Sequence, residues 1–375
     1  MKKILILGTG NAQVDIIEYC KEAGFEVHAC SYTTGGSGEK LVDKFELINI
    51  IDIDGVEKYV KDNNIDYVYS AGSDVAMPTA CIVSERLGLP HFVSSKTALL
   101  CNTKNELRKY LKLDFEGNIK FQEITNINDE IHLEFPLIMK PVDSQGQRGV
   151  TRINSLDEFK EKFESSMKHS RVKRLIVEEY IEGPEISVNS YSINNEVVFS
   201  LISDRIVFSD LPGGIIHKHL IPTSIESKEI KNSIEDLVKR VLEKLEIKNG
   251  PAYFQIKMKN GIEPKLIEVT PRLDGCHMWR LIKKYTGNNL LDWTIKHIQG
   301  NLNFVDSKGI KPLYKDKKFV LEFLCEKPGL AFNKEKYDVG NSSYLKWYYE
   351  NGDIVKSMNG YMEKCGYMIK EWEGR

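Results

Sequence analysis

Over residues 3–112 the chain alternates short apolar runs with amphipathic stretches, and few folds tolerate that rhythm. The runs ILIL, FEVHAC, IDYVYS and the short HFV are separated by segments with helical spacing. Strands that return to one sheet in parallel need long crossovers, which helices supply. The pattern predicts a parallel sheet covered on both faces. After that the texture changes to turn-bounded runs at 136–141, 174–181, 185–193 and 196–203, several of which should pair antiparallel.

Helical periodicity is strongest at Ile230, Ile234, Leu237, Val238, Val241, Leu242 and Leu245, which share one face at 3.6 residues per turn. Two strands follow, YFQIKM at 253–258 and KLIEVT at 265–270, and the Asn260-Gly261 step between them signals an antiparallel hairpin. From about residue 305 the rhythm is lost, and KFVLEFLC, YLKWYY and GYMIK read as strands of a small terminal subdomain. A chain of 375 residues with 41% hydrophobic content can bury sizeable cores, and its length suits two or three domains.

Lys and Arg total 52 against 54 Asp and Glu, a net charge of -2 that provides no bulk field for nucleic acid or anionic membrane. Any anion site must be local. The seven cysteines, at 20, 30, 81, 101, 276, 325 and 365, form no Cys-x-x-Cys pair, and reduced thiols in a cytoplasmic protein are expected. The opening MKKILILGTG has only four consecutive apolar residues, too few for a signal peptide, and no run approaches a membrane span.

Five motifs could carry chemistry. In ILILGTGNAQ, Gly8 and Gly10 could admit a phosphate to a helix N-terminus, but Gln13 replaces the third glycine of a dinucleotide fingerprint. The second strand also ends in Ala29, Cys30 and Ser31, with no acid to hold a ribose. TTGGSGEK at 33–40 lacks the preceding strand of a phosphate loop and reads as a flexible surface loop. FPLIMKP places Lys140 at a strand end before DSQGQRGV, where it could neutralise nucleotide phosphates or simply cover apolar surface with its stem. VEEYIEGPEISV carries Glu178, Glu179, Glu182 and Glu185 on two strands meeting at Gly183-Pro184, either nucleotide ligands or an exposed acidic turn. In LIEVTPRLDG, Glu268 and Thr270 share a strand face, Gln255 lies on the partner strand, and oxygen ligands so placed suit Mg²⁺. Arg272, just beyond, could bind a transferring phosphoryl group.

In this order and spacing the last three motifs resemble the ATP-grasp superfamily, which includes D-alanine:D-alanine ligase, biotin carboxylase and other carboxylate-amine ligases. The resemblance covers roughly residues 1–300. It implies an α/β and α+β multidomain chain: a Rossmann-like pre-ATP-grasp domain at 1–100, a small central subdomain at 101–175, a large ATP-grasp domain at 176–304, and a C-terminal subdomain at 305–375. Lys104 and Lys140 match the two nucleotide lysines, and DSQGQRGV the loop over the phosphates, with Gln147 and Gly149 on the nucleotide. Arg148, Lys140 and Arg272 fall to catalysis. Glu178 matches the position near the adenine amine, beside Glu179. Tyr180 and Ile181 match the hinge whose backbone meets the ring, and Glu185 the ribose acid. Glu268 matches the main metal ligand, helped by Gln255 and Thr270, which stand where the family usually has Asp or Glu and Asn.

The implied chemistry is ADP-forming ligation with ATP and Mg²⁺: a small-molecule carboxylate becomes an acyl phosphate that an amine captures. Such a site needs positioning and charge neutralisation. In keeping with this, the sequence shows no Gly-x-Ser-x-Gly elbow and no cysteine in an activated setting. Substrate recognition would fall to Asp74, Arg205, His219, Asp274, His277 and Arg280, and a homodimer is compatible with the reading. Two alternatives stay open: a nucleotide-binding protein that does not ligate, which Gln255 and Thr270 favour, and a dinucleotide-dependent oxidoreductase.

Overall fold

A computed structural model of the chain describes residues 1–144, 147–211, 214–303, 311–358 and 360–374. Gln145 and Gly146 of the DSQGQRGV loop, and the expected boundary at 304/305, lie outside the described residues.

The first sheet is parallel, with strands β1 (Lys3–Leu7), β2 (Glu26–Ser31), β3 (Lys44–Leu47) and β4 (Tyr67–Tyr69) in the order β3-β2-β1-β4. Ile4, Leu5, Ile6 and Leu7 are all 0% exposed, because α1 (Asn11–Glu22), α2 (Ile53–Asn63) and α3 (Ala76–Leu87) cover the sheet. Burial on both faces is why the run is continuously apolar. The edge strand β3 escaped the sequence reading because KFEL lies largely exposed and carries little apolar signal. The HFV run is not a strand: it leads into α4 (Ser95–Asn102), whose first turn is capped by Ser94, and Phe92 packs edge-on against Tyr69 and His297.

Helix α5 (Lys104–Leu111) leads into a second, antiparallel sheet of β5 (Phe121–Ile124), β6 (Leu137–Pro141), β7 (Thr151–Ile153) and β8 (Leu175–Glu179), ordered β5-β8-β6-β7. Helix α6 (Leu156–Met167) places Phe159 and Phe163 against Leu137, Met139, Leu175 and Val177, a core of its own. The third sheet has eight antiparallel strands: β9 (Glu185–Ile193), β10 (Glu196–Val207), β11 (Ile216–Ile221), β12 (Gly250–Lys259), β13 (Glu263–Thr270), β14 (Phe319–Glu326), β15 (Tyr344–Trp347) and β16 (Glu363–Glu371). Their order is β13-β12-β9-β10-β11-β14-β16-β15.

Helix α7 (Lys228–Lys244) buries Ile234, Leu237, Val238, Val241 and Leu242, the face its spacing predicts, and Ser227 caps it. Asn260 and Gly261 take φ of +53° and +79°, a left-handed pair that turns the chain within the three-residue loop between the paired Lys259 and Glu263. The terminal runs form strands as expected, but not a sheet of their own. β14 pairs with β11 from Lys218↔Glu322 to Ile221↔Phe319, so the C-terminal strands cover what would otherwise be an open edge. One face of the first sheet, with Ile4 and Ile6, shares a continuous core with the large sheet, where α8 (Met278–Thr286) and α9 (Leu290–Ile298) pack, while Leu5 and Leu7 on the other face join a separate cluster. Among the described residues no helix is long and apolar enough to cross a membrane.

Candidate active site

Lys140 on β6 and Glu178 on β8 sit on one face of the small sheet, Nζ to Oε2 at 2.5 Å. Both are buried. The other Glu178 oxygen accepts from Arg108 Nε at 2.9 Å. Arg108 is 1% exposed and its remaining donors reach Asn118 Oδ1 at 3.1 Å and the Ile267 carbonyl on β13 at 2.9 Å. One arginine thus ties the small sheet to the strand bearing Glu268. Burial lowers the pKa of Lys140, and the nearby Arg108 and Lys104 push the same way. Burial would raise Glu178, yet Arg108 and Lys140 together hold it below the usual range. Two cations share one carboxylate, and a buried site so charged is incomplete without another anion.

Lys104, the first residue of α5, donates to the Ser144 carbonyl at 2.7 Å, so it too faces the loop that follows Lys140. In that loop Gln147 reaches across to the Gly214 carbonyl just before β11, Arg148 lies at the surface, and Gly149 takes φ +73°. The structure places Glu178 and Glu179 on opposite strand faces. Glu179 accepts the Lys120 backbone N–H at 2.9 Å instead of joining Glu178. The Glu178 oxygens, expected near an adenine amine, are both engaged by cations here. At the hinge Tyr180 is covered by Arg152, 4.2 Å from its ring, and Ile181 is buried. A Cβ on Gly183 would lie 1.8 Å from the Met258 carbonyl oxygen, so only glycine lets this turn approach β12.

The register of the large sheet brings the other candidates onto one face. Gln255 stands opposite Glu268, and Thr270 opposite Tyr253. The half-buried Glu268 carboxylate has no hydrogen-bond or ion-pair partner among the described residues, and the buried Thr270 hydroxyl has none either. Gln255 is differently occupied: its amide donates to Glu185 Oε1 at 2.5 Å, and Arg205 ion-pairs with the same carboxylate. Glu185, expected to hold a ribose, is therefore held in turn by two neighbours. Arg272 donates from Nε to Asp74 Oδ1 at 2.6 Å and from Nη1 to the Leu273 carbonyl at 2.9 Å, so the segment between β4 and α3 contributes a carboxylate to this end of the site. Burial raises the pKa of Asp74; Arg272 opposes the shift and Glu268 adds to it. Here Gly72 and Gly275 nearly touch, and a Cβ on Gly72 would fall 2.7 Å from the Gly275 Cα.

His219 on β11 neighbours Arg205 across the strands, and burial together with Arg205 and Lys364 keeps its imidazole neutral. His277 and Arg280 do not join these groups. Asp15 on α1, 3% exposed, accepts Arg280 at 3.0 and 2.7 Å, the Trp279 indole at 2.8 Å and His277 Nδ1 at 3.0 Å. The arginine expected to clamp a substrate carboxylate clamps an internal one. Burial alone would raise Asp15, but His277 and Arg280 hold it well below the carboxylate range.

Sequence reasoning missed Arg108 and Asp15. Arg108 gives no signal in KNELRKYL, where it reads as one more surface charge. Asp15 could have been found, as an acid flanked by Val14, Ile16 and Ile17 on a buried helix. The GTG turn is closed by its own residue: Gln13 accepts the Gly10 N–H at 3.0 Å and donates to the Ala71 carbonyl at 2.6 Å.

The family model of the ATP-grasp domain matches residues 133–279. Among curated proteins, the ATP-grasp enzyme fsqD of Aspergillus fumigatus is 27% identical over 223 residues, 56% of this chain and 35% of that protein. The chain spans between 35% and 48% of the length of the first curated relatives it matches. Among solved structures, an L-amino acid ligase from Bacillus licheniformis superposes with a TM-score of 0.81 at 19% identity, covering 100% of this chain and 94% of that one. N5-carboxyaminoimidazole synthetase from Staphylococcus aureus, complexed with ADP, gives 0.78 at 15%, covering 100% and 94%. The matched segment runs from just before Lys140 past Glu268 and Arg272, so residues 133–279 match an ATP-grasp domain, and the chain as a whole shares the fold of these structures.

Proposed function

We propose that the chain is an ATP-dependent, ADP-forming ligase that activates a small-molecule carboxylate as an acyl phosphate and couples it to an amine. The observation that carries this reading is the buried Lys140–Glu178–Arg108 group: two cations on one carboxylate, joined by Arg108 to the strand that bears Glu268, which has no partner among the described residues. A polyphosphate supplies the anion such a site lacks.

In this reading Lys104 and Lys140 neutralise phosphate oxygens, the backbone of Tyr180 and Ile181 meets the base, and Gln147, Arg148 and Gly149 lie over the phosphates. Mg²⁺ suits the free Glu268 carboxylate and the orphaned Thr270 hydroxyl, since it takes few protein oxygens and keeps phosphate and water for the rest. Bound there, it would offset charge on the transferring phosphoryl group. Arg272, positioned by Asp74, stabilises that group once the substrate carboxylate attacks. No protein nucleophile is required, because the acyl phosphate itself is the activated species. The homologues act on small molecules, and small-molecule carboxylate and amine substrates are proposed for this chain.

A second reading, nucleotide binding without ligation, is favoured by Gln255, whose neutral amide is turned to Glu185 where a second charged metal ligand would be needed. ADP release measured against paired carboxylates and amines, with hydroxylamine as a trap, separates the two. Hydroxamate with ADP supports ligation. AMP release overturns it, and nucleotide binding without ADP release from any pair supports the second reading.

A further inference from the structure

Three side chains near Arg272 have no role in the phosphate chemistry above. His219 projects from β11, and Asp274 and Cys276 lie on the segment between β13 and α8. Their ligand atoms all fall within 4.8 Å of one another. His219 is 0% exposed and neither ring nitrogen has a hydrogen-bond partner; Asp274 is 3% exposed and its Oδ2 has none. Burying polar atoms without partners is costly, so three in one place call for a ligand that would satisfy them.

Arg205, Arg272 and Lys364 all lie near the cluster, so it is the donor set and the unpaired Asp274, not the surrounding charge, that point to a cation. Arg205 is matched by Glu185 and Arg272 by Asp74, but Asp274 has no ion-pair partner among the described residues. Its Oδ1 accepts only the Cys276 backbone N–H, at 2.9 Å. Lys364 sits 3.7 Å from the Cys276 sulfur, but burial and Asp274 outweigh its ammonium and push the thiol up to about 11, so the sulfur is a thiol until a metal displaces its proton. Imidazole, carboxylate and thiolate together are the donor set of a borderline-soft metal rather than of Mg²⁺.

We propose that His219, Asp274 and Cys276 bind a divalent cation of the zinc class, at a site distinct from the one at Glu268. Tetrahedral zinc bonds place ligand atoms about 3.4–3.6 Å apart, so side-chain rotations of roughly 1 Å close the present spacing. On binding, the Cys276 thiol loses its proton to solvent, and the metal with one thiolate and one carboxylate is locally neutral. Three protein donors leave one tetrahedral position for water or a substrate atom. The inference stands on these three residues and does not depend on the ligase reading.

The test uses the full chain, stripped with chelator and titrated with Co²⁺ and then Zn²⁺ in the presence of excess Mg²⁺. The expected result is one Co²⁺ per chain with a thiolate-to-metal charge-transfer band in the near ultraviolet, which Zn²⁺ displaces. Cys276→Ser should abolish the band, and His219→Ala should weaken Zn²⁺ binding at least tenfold. Glu268→Gln should retain the band. A wild-type protein without the band, or Zn²⁺ affinity equal in wild type and both site variants, overturns the proposal and leaves a substrate ammonium as the occupant to test against Asp274.

Discussion

The Lys140 ammonium lies 2.5 Å from one oxygen of Glu178, and Arg108 holds the other at 2.9 Å. That arrangement stores an unmatched positive charge in a buried place. Its first consequence concerns nucleotide binding: Lys140→Ala should weaken ATP affinity at least about 30-fold, the equivalent of about 2 kcal/mol for a lost charge-assisted phosphate contact. Calorimetric titration of the folded variant checks this. Unchanged affinity would return Lys140 to a purely structural role.

Arg108 contributes differently, because its three contacts join the small sheet to β13. Removing one partner of a buried charge pair costs about 3–5 kcal/mol, so Arg108→Met should lower unfolding free energy by that order in urea. Arg108→Lys should recover only part of it, since one ammonium cannot reach Glu178, Asn118 and the Ile267 carbonyl together. A loss below about 1 kcal/mol would show that the two sheets are held elsewhere.

Asp15 predicts a pH dependence. Its carboxyl is held well below the usual range by His277 and Arg280, so its contribution is complete above the unfolded value of about 3.9 and is lost as pH falls toward the lower folded value. Asp15→Asn should therefore be much less stable than wild type at pH 7, with the gap closing progressively below about pH 4. Thermal melts of both proteins between pH 2 and 7 measure it, and a gap independent of pH would refute the charged role.

For the metal end, Glu268→Gln should abolish ADP release while leaving the melting temperature within a few degrees, since Glu268 has no partner to lose among the described residues. Gln255→Glu is not the simple restoration of a family residue that the sequence suggests. The new carboxylate would face Glu185 directly, with Arg205 on the far side of Glu185, and the repulsion should raise the pKa of one of the acids. A raised carboxyl costs stability as pH rises past its unfolded value, so this variant should melt further below wild type at pH 8 than at pH 5. An equal difference at both pH values would mean Arg205 neutralises both acids.

Much of this was legible in the sequence because it depends on neighbours along the chain. The burial of ILIL, the face of α7, and the Asn260-Gly261 hairpin follow from periodicity and backbone sterics within a few residues. Glu268 stood out as an acid inside an apolar strand, and the hairpin register does set it opposite Gln255. Weak strands such as β3 and β7 were not legible, since a short edge strand carries little apolar pattern. The partners of charged groups were not legible either. Arg108 meets Glu178 across 70 residues of sequence and Arg280 meets Asp15 across 265, and nothing local to either residue encodes its partner. Residue type and local pattern determined which strands and helices form and which acids and bases are available. Only the tertiary structure decided which charges are left without a partner, because that depends on which distant surfaces are desolvated together.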